Sequence, residues 1–173
     1  MQTQVAALKA RAEETFTSAP AQGEAEFEFK LTEDGNGLVI TKYKGTSRHA
    51  VIPATIQGLP VKEVANMGNP QVTTIVLSDG IEVIGSNACS GYDGLTTVVL
   101  PSTLKVIANR AFEKCTALRT VNFPDSLRAI GLEAFYDTGL EEVTLPEGLV
   151  LLCGAAFKDK GIQPLLDGVC KYL

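Results

Sequence analysis

The chain has 173 residues, 45% of them apolar, and a formal charge of −5. That length and apolar content fit one domain with its own core. The acidic balance excludes a surface built to grip nucleic acid or anionic lipid, which needs clustered Lys and Arg. No apolar run approaches the roughly 20 residues of a bilayer-crossing helix. Lys9, Arg11, Glu13 and Glu14 interrupt the one stretch with leader-like composition. The expectation is a protein kept inside the cell, or one whose export signal was removed upstream; the choice between them stays open, as does oligomeric state.

In chain order, residues 1–17 read as an amphipathic helix, with Val5, Leu8, Ala12 and Phe16 at spacings of three and four. Ser18-Ala19-Pro20 and Gly23 end it, so residues 1–24 form a helix and linker. Packing on the end of the following domain is the expected use of that apolar stripe. Residues 25–48 then alternate: Phe27, Phe29 and Leu31 between charges, an Asp34-Gly35-Asn36-Gly37 turn, and Leu38 to Tyr43 returning. This pattern predicts a capping β-hairpin.

Residues 95–117, 118–139 and 140–161 then say nearly the same thing three times. Leu95, Leu118 and Leu140 share one slot, Val98, Val121 and Val143 another, and Ile107, Ile130 and Leu152 a third. Ala111-Phe112, Ala134-Phe135 and Ala156-Phe157 form a further column. Apolar columns at a period of 22 to 23 residues predict a solenoid. Residues 72–94 keep that register with Cys89 in the Phe slot, and residues 49–71 form a distorted first repeat, giving five repeats over 49–161. From Ile162 the period dissolves, and Ile162, Leu165, Leu166, Val169, Cys170 and Leu173 at helical spacing predict a short closing helix over 162–173.

Within a repeat, Leu95, Val98 and Leu100 point inward while Thr96, Thr97 and Val99 point outward on a strand that Pro101 ends. One coil cannot bury its own apolar face and shares it with the next. The motif LxxVxLPxxLxxIxxxAFxxC over 95–115 resembles the repeat of BspA-type (treponemal-type) leucine-rich-repeat proteins, and the lead-in Val51-Ile52-Pro53 with Gly58-Leu59-Pro60-Val61 is similar too. The resemblance covers residues 27–161. It implies a right-handed solenoid with one parallel sheet face and short strands or 3-10 turns opposite; with the predicted helices and hairpin as caps at the two ends, the expected fold class is an α/β-type solenoid. It also implies protein–protein recognition or adhesion, usually on exported proteins. The chain departs from the family pattern at its Cys, kept only at Cys115 and replaced by Tyr92, Thr138 and Lys160.

The outward strand positions form three rows: Thr73, Thr96, Arg119 and Glu141; Thr74, Thr97, Thr120 and Glu142; Val76, Val99, Asn122 and Thr144. A solvent-facing solenoid sheet is a ready recognition surface for a protein or cell-surface ligand. The coils over 49–94 lack the Phe, so either neighbours collapse inward or an apolar pocket for a small hydrophobic ligand opens near Val64, Met67, Ile84, Cys89 and Tyr92. Catalysis has no visible machinery: His49 is the single histidine, and Cys89, Cys115, Cys153 and Cys170 form no CxxC pair or zinc spacing. These cysteines read as buried free thiols. No cofactor is expected, and Asp79, Asp125 and Glu147 read as a solvated acidic ridge along the strand ends.

Overall fold

The computed structural model describes residues 23–152 and residue 156. A 3-10 turn, Glu24–Glu26, leads into β1 (Phe27–Leu31), which pairs antiparallel with β2 (Leu38–Tyr43). Thr32 holds the tight connection: its hydroxyl donates to Asp34 Oδ1 (2.6 Å) and accepts from the Gly37 N–H (3.0 Å). From β2 onward pairing is parallel and runs through β5 (Leu59–Val64), β7 (Val83–Ile84), β9 (Val106–Ile107), β10 (Ala129–Ile130) and β11 (Leu151–Leu152). With β4 (Thr55–Ile56) pairing β5, this is an eight-stranded sheet. Opposite it lies a three-stranded parallel sheet of β3 (His49–Ile52), β6 (Thr74–Leu77) and β8 (Thr97–Val99).

The structure is a β-solenoid, and it corrects the α/β expectation: no α-helix occurs among the described residues. The predicted helices over 1–17 and 162–173 lie outside them. The Thr-rich side carries parallel strands of three to four residues and the opposite side two-residue strands from β7 on, as expected, but it is the short strands that form the more extensive sheet. On the Thr-rich side the strands end at β8, where Thr97-Val98-Val99 gives way to Thr120-Val121-Asn122 and then Glu142-Val143-Thr144. Asn and Glu weaken a run that β-branched residues sustain. On the other side a Val-Ile or Ala-Ile pair per coil suffices for a ladder. The irregular first repeat is explained by an insertion. Its Ile52 to Val64 segment is five residues longer than Leu100 to Ile107, and the excess makes the β4–β5 hairpin. Gln57 (φ 52°) and Gly58 (φ 78°) supply the two left-handed positions that such a turn requires.

A third ladder joins the coils where the Ala-Phe turns bend. Cys89 N donates to Ala111 O, Phe112 N to Ala134 O and Phe135 N to Ala156 O, each at 2.8 Å. Lys114 N likewise donates to Tyr136 O at 2.8 Å. The bend is made by left-handed residues on both flanks: Asn87, Arg110 and Glu133 before it, and Lys114 and Asp137 after it, with φ between 55° and 58°. In earlier coils glycine takes the second position, at Gly68 and Gly91.

Between these walls the core is a stack of columns. Ile40, Val64, Ile84, Ile107 and Ile130 follow one another in register and are all buried. Each such side chain contributes roughly 1.5–3 kcal/mol by burial. Phe112 and Phe135 stack at 5.2 Å between ring centroids, and Phe123 meets Phe135 edge-on at 5.4 Å.

Two stability measurements check this account by chemical denaturation. Phe112→Ala removes a fully buried ring from the stack and should cost about 3–5 kcal/mol. Lys114→Gly relieves a left-handed backbone at an exposed site and should stabilise by about 0.5–1 kcal/mol.

Candidate functional site

On the three-stranded side, the rows of outward residues lie in register: Val51 opposite Val76 and Val76 opposite Val99. All three are half-buried, whereas Thr96, Arg119, Thr120, Asn122, Glu141, Glu142 and Thr144 are exposed. Thr74 departs from the expected row. It is buried at 8% exposure, because it sits on the central strand with His49 and Thr97 flanking it in register. Thr73 and Thr96 also differ from free hydroxyls. Thr73 Oγ1 donates to Arg48 O at 3.4 Å, and Thr96 Oγ1 donates to Thr73 O at 3.0 Å, so both reinforce the joint between coils. Farther along, the Arg119 guanidinium donates to Thr116 O at 2.7 Å and lies 3.7 Å from Glu141. The face therefore offers a half-buried valine row with exposed polar groups beyond it.

The five candidate pocket residues, Val64, Met67, Ile84, Cys89 and Tyr92, all belong to the buried core cluster. Met67 takes the place of the absent Phe. Its N–H donates to Ala88 O (3.0 Å) as Cys89 N does to Ala111 O, so Met67, Cys89, Phe112 and Phe135 form one column. Met67 is fully buried and Cys89 is 3% exposed. Tyr92 is buried in the same cluster and accepts from Asn69 N–H at 2.7 Å through its hydroxyl. Asn69 in turn donates through Nδ2 to Gly45 O at 2.9 Å, tying two loops to the coil. Burial pushes the Tyr92 phenol up. Burial also raises the Cys89 thiol, with Cys115 adding to the shift, and pushes Cys115 up to about 12. Both are free cysteines, and Cys115 Sγ donates to Cys89 O at 3.2 Å. Cys153 and Cys170 lie outside the described residues.

The outer face of the eight-stranded sheet escaped the sequence reading. Each coil turns two successive residues outward there: Lys62-Glu63, Glu82-Val83, Lys105-Val106 and Arg128-Ala129. Glu82 bridges Lys62 (3.1 Å) and Lys105, and the Lys105 and Lys62 hydrogen bonds hold its carboxyl below the ordinary range. One shallow depression lies beside Thr32, Asp34, Lys62 and Glu82, and another along Val106, Ala108, Ala129 and Gly131. The signal for this face is the 23-residue spacing of Glu82, Lys105 and Arg128, with Lys62 hidden from it because its interval to Glu82 is 20. Of the supposed acidic ridge, Asp79 accepts from Ser102 N–H (2.8 Å) and its hydroxyl (3.0 Å). Among the described residues no group of three His, Cys, Asp or Glu is placed to hold a metal ion. No helix among them is long and apolar enough to cross a membrane.

This architecture of stacked coils with parallel ladders and an Ala-Phe column is that of a leucine-rich-repeat solenoid. The family model for the BspA type leucine rich repeat region, in six copies, matches residues 50–164, and the chain belongs to that family. Among solved structures, a Treponema pallidum leucine-rich-repeat protein is 35% identical with a TM-score of 0.75, over 82% of this chain and 66% of that one. A leucine-rich-repeat protein from Bacteroides ovatus shares the fold at 24% identity and a TM-score of 0.67, over 76% of this chain and 37% of that one. Another from Bacteroides capillosus shares it at 23% and 0.62, over 75% and 95%. Two curated proteins match locally. Elongation factor G 1 of Bdellovibrio bacteriovorus is 50% identical over 46 residues, and elongation factor G 2 of Desulfotalea psychrophila is 60% identical over 35. The alignments cover 19% and 20% of this chain, which spans only 7% and 5% of those proteins.

The cysteines supply a test of the packed pocket region. With the folded Cys115 raised from 9.0 to about 12, the neutral thiol is favoured in the folded state. Its stabilising contribution is complete below pH 9 and is lost as pH rises through about 12. Maleimide labelling at pH 8 should leave Cys89 and Cys115 unmodified in the folded chain and modify both in denaturant, read by mass spectrometry of the peptides.

Proposed function

We propose that the chain is a non-catalytic interaction module that recognises a protein or cell-surface ligand through the three-stranded face. Repeat proteins of this family and fold are generally protein-interaction modules rather than enzymes. The observation that carries the reading for this chain is the in-register valine row. Val76 and Val99 sit half-exposed on a hydrogen-bonded sheet, next to Thr97 and ahead of the exposed Thr120, Asn122 and Thr144. A rigid sheet loses little freedom when it binds, and a small apolar row with a polar rim matches the layout of a recognition patch. Thr73 and Thr96 serve as joint residues in this reading rather than as contacts. The alternative, a small hydrophobic ligand among Val64, Met67, Ile84, Cys89 and Tyr92, would require side chains now packed together to separate.

The two faces are distinguishable by substitution. Val76→Arg with Val99→Arg should lower ligand capture from cell-surface extracts at least tenfold while leaving the thermal midpoint within a few degrees. Val83→Arg with Val106→Arg, on the eight-stranded face, should leave capture unchanged. Quantitative pull-down with mass spectrometry reads both. Equal loss from the two pairs would sink the assignment of the face.

A further inference from the structure

The hairpin that opens the solenoid leaves one strand edge with a pattern of its own. β1 has a single neighbour among the described residues, β2. Lys44 N donates to Glu26 O and Thr32 N to Gly37 O, so the backbone groups of the even positions 26 to 32 face β2. Backbone groups alternate along an antiparallel strand. Those of Phe29 and Leu31, together with the Phe27 carbonyl, therefore point away from the sheet; the Phe27 N–H is taken by Glu24 O. The side chains alternate as well. Phe27 is buried and Phe29 packs on the core, while Glu28 and Lys30 face solvent and Leu31 is 57% exposed.

We infer that β1 is a homotypic docking edge, at which a second copy of this chain adds its own β1 antiparallel across a two-fold axis centred on Phe29. The strand reads Phe-Glu-Phe-Lys-Leu over 27–31. Reversed on itself about Phe29, it sets Phe29 opposite Phe29, Leu31 opposite Phe27, and Glu28 opposite Lys30. The outward backbone groups match this register: each Phe29 exchanges both bonds with its counterpart, and each Leu31 N–H donates to the opposite Phe27 carbonyl. Glu28 and Lys30 then fall at non-hydrogen-bonded positions, where opposed side chains approach most closely, and two ion pairs form across the axis. Exposed charges ordinarily protect an edge from pairing. Here the antiparallel register about Phe29 sets opposite charges together, whereas a parallel pairing in register sets Glu28 against Glu28. The axis stands perpendicular to the sheet, so both core faces stay on one side, the two eight-stranded sheets become continuous, and Leu31 is covered by the opposite Phe27. An interface of five residues a side is small, so the association is weak and salt-dependent.

The test is a charge swap on the full chain, followed by sedimentation velocity at low ionic strength over a range of concentrations. Wild type should move toward the dimer mass as concentration rises. Glu28→Lys alone and Lys30→Glu alone should each weaken association about tenfold, since both set like charges opposite each other. An equimolar mixture of the two single variants should form the mixed dimer, and the double variant Glu28→Lys/Lys30→Glu should recover the wild-type constant. Circular dichroism melts confirm that these exposed positions leave the fold intact. A wild type that stays monomeric at several hundred micromolar overturns the inference, as does association that the single swaps leave unchanged.

Discussion

The structure depends on one constraint: every coil must present its neighbour with the same backbone path, so that N–H and C=O groups meet along the axis. Three ladders meet it, the two sheets and the series at the Ala-Phe bends. Once the path is fixed, identical positions in successive coils stack, and the core becomes a set of columns with no freedom to slip. Val64, Ile84, Ile107 and Ile130 are neighbours because the ladders make them so, and their burial then holds the ladders dry. Neither term suffices alone. A single coil has no partner for its polar backbone and no second wall for its apolar face.

The same constraint explains where substitutions within the repeat are tolerated. The bend needs a left-handed residue, yet Arg110, Lys114, Glu133 and Asp137 all take that conformation without being glycine. The strain of each, on the order of 1 kcal/mol, is offset by the coil-to-coil bonds that the bend aligns. The exposed side chains also form links there, as Arg110 does with Glu133 at 2.7 Å. Inside, the Phe column holds Met67 and Cys89, and Tyr92, whose N–H donates to Cys89 O, is buried beside them. The Tyr92 hydroxyl finds the Asn69 N–H rather than an unpaired site in the core.

This history of compensation marks the limit of what the sequence discloses. The columns of Leu95, Val98, Ile107 and their equivalents are legible, because stacking repeats the chemistry at a fixed interval. The hairpin at 27–43 is legible for the same kind of reason, alternation around a Gly-Asn-Gly turn. That the short strands opposite would join into the more extensive sheet was not legible: two residues per coil give too little pattern to read until their neighbours are in place. Nor does spacing reveal that Thr73 and Thr96 spend their hydroxyls on carbonyls of the preceding coil, or that Thr74 is covered from both sides. Those facts belong to contacts at a separation of 23 to 25 residues, where the sequence shows only that a threonine is present.

The irregular repeat shows how that distance works in the chain's favour. An insertion in a solenoid must leave the ladder or break it, and the β4–β5 hairpin leaves it: Ile56 is buried beneath, while Gln57 and Gly58 turn in solvent. β5 then resumes the path and pairs with β2 on one side and β7 on the other. Glu24 accepts from the Gln57 N–H at 2.9 Å, so the loop is anchored to the segment that enters β1. The coil with the least regular sequence is thus fixed at the tip of its insertion, and at its return turn by Asn69, Tyr92 and Gly45. A face displayed on β3, β6 and β8 inherits that rigidity, since β3 is held directly to β6 along all four of its residues. The irregular repeat is thus tied to the coils on either side by the insertion that makes it irregular.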